Sequence, residues 1–351
     1  MTPERWKRRR VFLTGHTGFK GSWLLAWLTR AGAEVTSFAL PPATKPSLFE
    51  AASLERGGRS IAGDIRDLDA LRGALAESRA EVVFHLAAQS LVRESYERAV
   101  DTYATNVMGT VHLLEAVRSV RSVRAVVVVT SDKCYENREW PWPYRENEPL
   151  GGRDPYSSSK ACAELVTAAY RDSFFGGGAA VATARAGNVI GGGDWARDRL
   201  VPDLLRAFEN GRTAMIRNPG AVRPWQHVLD PLHGYLLLAE ALLEKREHAA
   251  AWNFGPYDRD VQPVRFVADA LSSAWGSGAA WTHDGGPNPH EAMTLKLDSS
   301  RARTILGWRP RLALDVALQW VVEWHRAFAD SPERAREITL DQIARYEGLT
   351  A

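Results

Sequence analysis

Five side chains in the middle of the chain have the types and the spacing of an acid–base site. Ser131, Asp132 and Lys133 follow a run of four valines and a threonine, and Tyr156 and Lys160 follow later in the chain. A short apolar run predicts a strand buried on both faces, and ligands of open parallel sheets bind beyond the carboxyl ends of the strands. Tyr156 and Lys160 lie four residues apart, so on a helix they share one face. The sequence therefore predicts one site with a hydroxyl, a carboxyl group, a phenol and two amines.

A glycine-rich turn near the start of the chain predicts a dinucleotide site beside these groups. Its three glycines are spaced three residues apart, between a short strand at Val11–Thr14 and a helical pattern at Ser22–Ala31. Such glycines allow a tight turn and let a pyrophosphate approach a helix N-terminus. A purely structural turn between strand and helix is the alternative. The residues predicted to bind the cofactor in this turn are Gly15, His16, Thr17, Gly18, Phe19, Lys20 and Gly21.

Other positions predict further contacts to the same cofactor. Asp64 follows a predicted third strand, where it either accepts a hydrogen bond from an adenine amine or starts a helix that Asp67 caps. No acidic residue ends the predicted second strand, which leaves NAD and NADP open at this feature. Asn106, in a helix predicted over 102–117, is also a candidate for a buried hydrogen-bonding role. The predicted contacts outside the glycine turn are Asp64, Ile65, Leu86, Ala87, Ala88, Gln89, Asn106, Tyr156, Lys160 and Arg185.

A dinucleotide would make Tyr156 a plausible general base. A phenol has an unperturbed pKa near 10, and both a nicotinamide cation and the ammonium group of Lys160 favour the phenolate. Lys160 would also hold the ribose hydroxyls. Because Tyr-x-x-x-Lys is common by chance, an ordinary surface helix is the alternative interpretation.

Composition excludes several classes of protein. The 351 residues are 25% charged and 45% apolar, as in an ordinary globular protein, and a net charge of +2 argues against nucleic acid as the main partner. No apolar run approaches the roughly 20 residues of a membrane span, and the run that follows the basic start is too short for a secretory signal. Two cysteines form neither a disulfide framework nor a zinc pattern, so we expect no metal and a cytoplasmic location.

Strand and helix patterns alternate up to residue 185 and then stop alternating. Six predicted strands with intervening helices indicate an α/β fold, a doubly wound parallel sheet of the Rossmann type, with a smaller C-terminal α+β substrate lobe. We expect residues 1–187 and 226–256 to form the NAD-binding domain, and 188–225 and 257–351 to form the substrate lobe. The proline-rich segment at 140–144 predicts either a lid or a packed surface loop.

Over nearly its whole length the chain resembles the extended short-chain dehydrogenase/reductases. The resemblance implies bound NAD, Tyr156 and Lys160 as catalytic residues, and a homodimer that pairs through the helices flanking the active-site strand. The motifs that carry it are Thr14-Gly15-x-x-Gly18-x-x-Gly21, Asp64, Ala87-Ala88, Asn106 and Tyr156-x-x-x-Lys160.

Longer strings are similar to one branch of this family, the CDP-glucose 4,6-dehydratases. The branch implies oxidation of CDP-D-glucose at C4, loss of water across C5 and C6, and hydride return to C6, which gives CDP-4-dehydro-6-deoxy-D-glucose. Enzymes for dTDP-, GDP- or UDP-linked sugars, epimerases and a non-catalytic NAD-binding protein remain alternatives. The strings are residues 15–21, 88–89, 130–135, 187–195 and 223–228.

The resemblance also implies roles for the residues after the predicted fifth strand. Tyr156 and Ser131 act at the C4 hydroxyl, and Asp132 is the acid that protonates the leaving C6 hydroxyl. Lys133 stands where relatives carry a glutamate that takes the C5 proton. A lysine can be this base only when neutral, which burial beside another cation favours. Alternatively, Lys133 stays charged and orients Asp132 or stabilises the enolate.

Arginines of the second lobe suit a nucleoside diphosphate, because guanidinium groups donate bidentate hydrogen bonds to phosphate. Arg223 is the first candidate, and Arg199 and Arg217 are the next, although each could instead form a surface ion pair. The complete set of predicted substrate-binding residues is Gln89, Ser131, Asn188, Arg199, Arg217 and Arg223.

Overall fold

A parallel sheet of seven strands, in the order β3-β2-β1-β4-β5-β6-β10, forms the centre of the computed structural model. The structure describes residues 3–286 and 292–349. The strands are β1 (Arg10–Thr14), β2 (Glu34–Ala39), β3 (Arg59–Ala62), β4 (Val82–His85), β5 (Ala125–Val129), β6 (Ala180–Ala186), β7 (Asn188–Ile190), β8 (Ala214–Ile216), β9 (Val222–His227), β10 (Ala251–Phe254), β11 (Val261–Pro263) and β12 (Trp281–His283).

Helices cover both faces of this sheet. The α-helices are α1 (Phe19–Arg30), α2 (Leu48–Ala51), α3 (Leu68–Ser78), α4 (Val92–Glu97), α5 (Ala99–Tyr103), α6 (Gly109–Ser119), α7 (Pro155–Phe174), α8 (Leu200–Glu209), α9 (Leu229–Glu244), α10 (Val264–Trp275), α11 (Ser300–Ile305), α12 (Leu314–Asp330) and α13 (Ala335–Gly348). Every residue of β4, β5 and β6 is buried. Because both faces are buried, these strands consist mostly of alanine and valine and contain few polar residues.

The predicted fold class is confirmed, but the prediction of six strands in the sheet is wrong by one. β10 joins the sheet edge by parallel pairing with β6, after α9 has carried the chain back across the sheet. The strand Ala251–Phe254 has only four residues, one of them an asparagine, so its sequence shows no periodicity. The sequence alone therefore could not assign it to this sheet.

The helix predicted over 102–117 is interrupted. α5 ends at Tyr103, a π-helical segment runs over Ala104–Met108, and α6 continues to Ser119. Asn106 lies in this segment and is buried. Single π-helical turns inside helices occur frequently at functional sites, and here the turn aims Asn106 at the loop after β4.

The second lobe is built from two small sheets beyond the carboxyl ends of the main strands. β7, β9 and β11 form one, and β8 pairs with β12 in the other. Buried side chains of α8 and α10 belong to the same hydrophobic cluster as those of α1 and α9, so one continuous core joins the two lobes. The exact domain boundaries remain a prediction. Within the described ranges, the helices include none with the length and apolar character of a membrane span.

Candidate active site

The turn that follows β5 delivers the first three candidate catalytic residues. Ser131 leaves the strand in an extended conformation, and its hydroxyl accepts a hydrogen bond from the Lys133 amide at 3.2 Å and donates one to Asp132 Oδ1 at 3.0 Å. Asp132 is only 2% exposed, and its second oxygen has no hydrogen-bond partner among the described residues. Burial raises the pKa of Asp132, which favours its acid form. A buried carboxyl oxygen at a cavity wall is fit to bind a substrate hydroxyl.

Helix α7 supplies the other two groups. Pro155 stands at its first position and Asp154 caps it by accepting the Ser157 amide at 2.9 Å, both preferred arrangements at a helix start. Tyr156 and Lys160 lie on the buried face, as predicted, and are 8% and 6% exposed. Lys160 Nζ donates to the Val129 carbonyl at 3.3 Å, and burial lowers the pKa of Lys160 to about 8.

The phenol itself differs from expectation. Burial raises the pKa of Tyr156 to about 12, against a lowering influence of the Ser131 hydroxyl. The protein groups alone therefore do not favour the phenolate near neutral pH.

The glycine turn has the geometry that a pyrophosphate site needs. Gly15 has φ of +77°, and a Cβ on it would lie 2.5 Å from the Ala87 amide nitrogen. A Cβ on Gly21 would lie 2.1 Å from the Gly15 carbonyl oxygen. Helix α1 starts at Phe19 without a side-chain cap, so its first amides are available to an anion. This cradle fits a dinucleotide, and the loop after β4 lies against the turn.

One cavity of about 1090 Å³ joins the glycine turn, the catalytic groups and the second lobe. Most of the predicted site residues line it. They are Gly15, Thr17, Gly18, Phe19, Lys20, Gly21, Asp64, Ile65, Leu86, Ala87, Ala88, Ser131, Asp132, Lys133, Tyr156, Lys160, Asn188, Arg199, Arg217 and Arg223.

Four predicted ligands point elsewhere. His16 Nε2 is 2.7 Å from the Ser60 hydroxyl, and burial lowers the pKa of His16 to about 4, so the ring is neutral. The Gln89 side-chain amide donates to the Leu91 carbonyl and accepts from the Leu91 backbone amide. Asn106 bonds the Gln89 backbone in both directions at 2.9 Å. The Arg185 guanidinium lies on the α7 side of β6, in an ion pair with Glu164. None of these four residues lines the cavity, and their contacts with the cofactor or the substrate stay predictions.

Asp64 is held by its own turn. Its carboxylate accepts the Arg66 amide at 2.9 Å and pairs with the Arg66 guanidinium at 2.7 Å, which lowers the pKa of Asp64. Asp67 caps α3 by accepting the Ala70 amide at 3.0 Å, so that part of the prediction is confirmed. The contact of Asp64 with adenine stays a prediction.

Lys20, predicted as a cofactor contact in the glycine turn, lines the cavity, and its partner is Tyr235, a buried residue that the sequence analysis did not single out. Lys20 occupies the first turn of α1 and donates to the Tyr235 hydroxyl at 2.9 Å. Burial and the nearby Lys160 and Arg199 lower the pKa of Lys20 to about 7. A lysine between the second and third glycines was a visible signal, whereas Tyr235 sits in an apolar helix with no signal at all.

Cations from both lobes converge further along the cavity. Arg93 on α4 and Arg217 after β8 both pair with Asp198 Oδ1, at 3.2 and 3.5 Å. Arg199 pairs with Asp194 at 3.0 Å and donates to the Ser90 hydroxyl. Arg223 is 3% exposed. Arg93 was not predicted, because only the folded chain brings it within reach of Asp198, 105 residues later.

The proline-rich loop is packed rather than hanging free. Trp140 stacks on Tyr144 and packs at a tilt against Trp142, with ring centroids 5.0 and 5.2 Å apart. The Tyr144 amide donates to the Lys296 carbonyl at 3.0 Å. Residues 136–139 nevertheless form part of the cavity wall. Across the described residues, His, Cys, Asp and Glu side chains form no cluster that could hold a metal ion.

Known proteins resemble this chain in sequence and in structure. Residues 12–320 match the family model described as GDP-mannose 4,6 dehydratase. The chain is 56% identical over 330 residues to CDP-glucose 4,6-dehydratase of Salmonella typhimurium, covering 92% of each protein. It is 29% identical to dTDP-glucose 4,6-dehydratase of Streptomyces griseus, covering 90% of this chain and 93% of that protein. The solved structure of MoeE5 with UDP-glucose and NAD has a TM-score of 0.76 at 26% identity, and covers 91% of this chain and 99% of that one.

Proposed function

The chain belongs to the GDP-mannose 4,6-dehydratase family, and on this basis we propose that it is an NAD-dependent CDP-glucose 4,6-dehydratase. It converts CDP-D-glucose to CDP-4-dehydro-6-deoxy-D-glucose and water. The observation that carries the assignment is the Ser131-Asp132-Lys133 turn, which faces Tyr156 in the cavity that also contains the glycine turn. An epimerase has no water to eliminate and therefore no use for a buried acid and an amine beside the serine.

The cofactor is NAD, which supplies the acceptor and later the donor of a hydride when bound. The uncapped start of α1 and the glycine cradle would hold its pyrophosphate. Beyond β2 the cavity wall is apolar and offers no cation to the 2′-phosphate of NADP. The wall residues there are Ala39, Leu40, Pro41 and Ala43.

Each side chain then has a proton to hold or move. Tyr156 takes the proton of the sugar C4 hydroxyl, while Ser131 hydrogen-bonds the same oxygen. Oxidation at C4 acidifies the hydrogen on C5, which Lys133 removes. Asp132, kept in its acid form by burial, protonates the C6 hydroxyl so that it leaves as water. Lys160 holds the ribose and favours the phenolate of Tyr156 through its charge.

Turnover against a panel of nucleotide sugars tests this assignment. With NAD present, CDP-glucose should yield a product one water lighter than the substrate, and dTDP-, UDP- and GDP-linked sugars should react far more slowly. A product of unchanged mass would indicate an epimerase, and a faster reaction with another nucleotide would overturn the base assignment. Binding of NAD without turnover of any sugar would indicate a non-catalytic protein.

We propose that Arg93 and Arg217 release Asp198 and bind the substrate diphosphate in its place. Both guanidinium groups line the cavity, come from different lobes and share one carboxylate oxygen. A diphosphate offers more charge and more acceptor oxygens than a single carboxylate. It would therefore join the two lobes through the same pair of cations, beside Arg199 and Arg223. The substrate contacts of Asn188 and Gln89 stay predictions.

Arg93→Gln is expected to raise KM for CDP-glucose by roughly 10- to 100-fold and to leave kcat nearly unchanged. The substitution removes a charge-assisted hydrogen bond of roughly 1.5–3 kcal/mol far from the reacting carbons. Steady-state kinetics and a CDP titration measure both effects. Arg72→Gln, which removes an arginine paired with Asp69 outside the cavity, is the matched control with unchanged KM. An unchanged KM in Arg93→Gln would remove this residue from the diphosphate site.

We propose that the enzyme is a homodimer that pairs through α5 and α7. Helix α7 follows β5, and α5 packs against it. Both helices present apolar side chains to solvent, with Val100 83% and Leu165 59% exposed. A patch of this kind marks an interaction surface. Sedimentation should give twice the chain mass of 38.9 kDa, and Val100→Glu with Leu165→Glu should give the monomer, whereas Ile305→Glu elsewhere should not. A monomeric parent protein would contradict the dimer.

Both cysteines are free, which suits the cytoplasmic location that we propose.

A further inference from the structure

A buried ion pair lies directly behind the catalytic face of α7. Glu164 Oε2 and Arg185 Nη2 are 2.7 Å apart, and both side chains are 3% exposed. Glu164 stands one turn after Lys160 on α7, and Arg185 is on β6, the strand beside β5. Because two charges lose much hydration on burial, a pair of well-packed apolar residues would often stabilise a fold at least as well. The pair therefore needs a reason other than stability.

Glu164 and Lys160 hold consecutive residues at the end of β5. Lys160 Nζ donates to the carbonyl of Val129, and the Thr130 hydroxyl donates to Glu164 Oε1 at 2.5 Å. Ser131, which contacts the reacting oxygen, is the next residue. Since positions 160 and 164 share one helix face, the ammonium and the carboxylate both reach this strand end, where each binds one of two consecutive residues.

The carboxylate is fixed from the other side as well. Glu164 Oε2 accepts hydrogen bonds from the Thr183 hydroxyl and from Arg185, each at 2.7 Å. Arg185 in turn donates to the Tyr135 hydroxyl at 2.8 Å. Burial raises the pKa of Glu164, but Arg185 and the two threonine hydroxyls together bring it below its usual value. Glu164 is thus a fixed anion at a site that is otherwise rich in cations.

We propose that Glu164 is a positioning residue of the dehydratase reaction. It acts as the counter-ion that keeps Lys160 in the ammonium form beside Tyr156, and Arg185 acts by holding Glu164 ionised and aligned. The inference rests on the proposed function, and it gives Arg185 a role behind the cavity instead of a contact with the cofactor.

The other titratable groups around Lys160 do not supply this charge. Burial lowers the pKa of His85 to about 3, and burial raises that of the Cys134 thiol, so both groups are neutral. Lys20 adds a like charge rather than an opposite one. The groups that act on Lys160 are Glu164 on α7, Cys134 after β5, His85 on β4 and Lys20 on α1, while Asp132 and Arg185 act on this set through Lys20 and Glu164. Tyr156 lies one turn before Lys160 on the same buried face of α7.

The pH dependence of kcat tests the proposal. Activity rises as Tyr156 loses its proton, and it falls at higher pH when Lys160 becomes neutral and no longer favours the phenolate. Glu164→Gln removes the carboxylate that raises the pKa of Lys160. The alkaline limb of the profile should therefore move to lower pH, by about one unit or more. A merely structural residue would lower kcat at every pH without moving this limb.

Three further variants separate the effect of the carboxylate charge from other effects of the substitution. Glu164→Asp retains the charge and should return the limb toward its parent position. Thr183→Val removes one hydrogen bond to the carboxylate but no charge, and should not move the limb. Glu164→Gln combined with Arg185→Met leaves no unpaired buried charge, so it should fold if the single variant does not. Because it removes the cation together with the carboxylate, its alkaline limb should lie between those of the parent and of Glu164→Gln.

Lys20 titrates in the same range, so the comparison is repeated in a Lys20→Met background, where the shift should persist. A limb that stays at the parent pH when Glu164 is neutral, or a shift that disappears without Lys20, would overturn the inference. These outcomes are distinct from failure of the proposed function, which would show as absence of turnover by the parent enzyme.

Discussion

Tyr156→Phe is expected to lose turnover of CDP-glucose by roughly 10²–10⁴-fold, the usual contribution of a general base, while it keeps the fold and NAD binding. The change deletes one hydroxyl from the buried face of α7 and leaves the ring in place. Since Tyr156 acts as a base and burial raises its pKa, the fold loss should be largest at high pH, where the parent enzyme has most phenolate, and should shrink as the pH falls. Initial rates with saturating NAD measure the effect.

Tyr170→Phe is the matched control for this substitution. Tyr170 lies on the same helix, and its hydroxyl donates to Glu115 at 2.8 Å on the side away from the cavity. This variant should turn over like the parent enzyme. Circular dichroism and an NAD titration establish that both variants are folded and bind the cofactor. Activity of Tyr156→Phe within a factor of a few of the parent would remove the phenol from the mechanism.

Asp132→Asn should stop the reaction between its two redox steps, and enzyme-bound NADH should accumulate. Oxidation at C4 requires only Tyr156 and the cofactor, whereas departure of the C6 hydroxyl requires a proton from a buried acid. An amide cannot supply this proton, so product formation should fall by roughly 10²–10⁴-fold. Absorbance of the reduced cofactor in a single turnover records the block. Asp172→Asn, on the exposed side of α7, should show no accumulation. If Asp132→Asn formed product at the parent rate, the acid would have to be another group.

Lys133→Met separates the two roles that remain open for this lysine. If Lys133 takes the C5 proton, the variant should also accumulate NADH and should lose exchange of the C5 hydrogen with heavy water. If Lys133 stays charged and only orients Asp132, exchange at C5 should continue at the parent rate while elimination slows. Mass spectrometry of the sugar after quenching distinguishes these outcomes.

Sequence patterns located the reaction centre because its parts are local. A valine run, a polar turn and a helix with Tyr156 and Lys160 on one face specify a strand end and a helix start that any doubly wound sheet brings together. The glycine turn is equally local, because glycines at positions 15 and 21 leave room for the backbone segments that contact them.

Side-chain direction and long-range pairing lay outside what sequence could give. β6 is buried on both faces, so the alternation of alanines with Val181, Thr183 and Arg185 does not tell which of its faces lies toward α7. His16 and Gln89 have local partners that only the folded turns provide. The Arg93–Asp198 pair joins residues that are far apart in the chain and meet only after folding. The identities of the acid and the base came from resemblance to a family and not from spacing.

CDP-glucose that carries deuterium at C4 tests the central claim most directly, because the claim requires one hydrogen to leave C4 and to arrive at C6 of the same sugar. The proposed dehydratase should give product with the label at C6 and none in the solvent, and in heavy water it should add deuterium at C5. Loss of the C4 label to solvent, or its retention at C4 in a product of unchanged mass, would contradict the assignment.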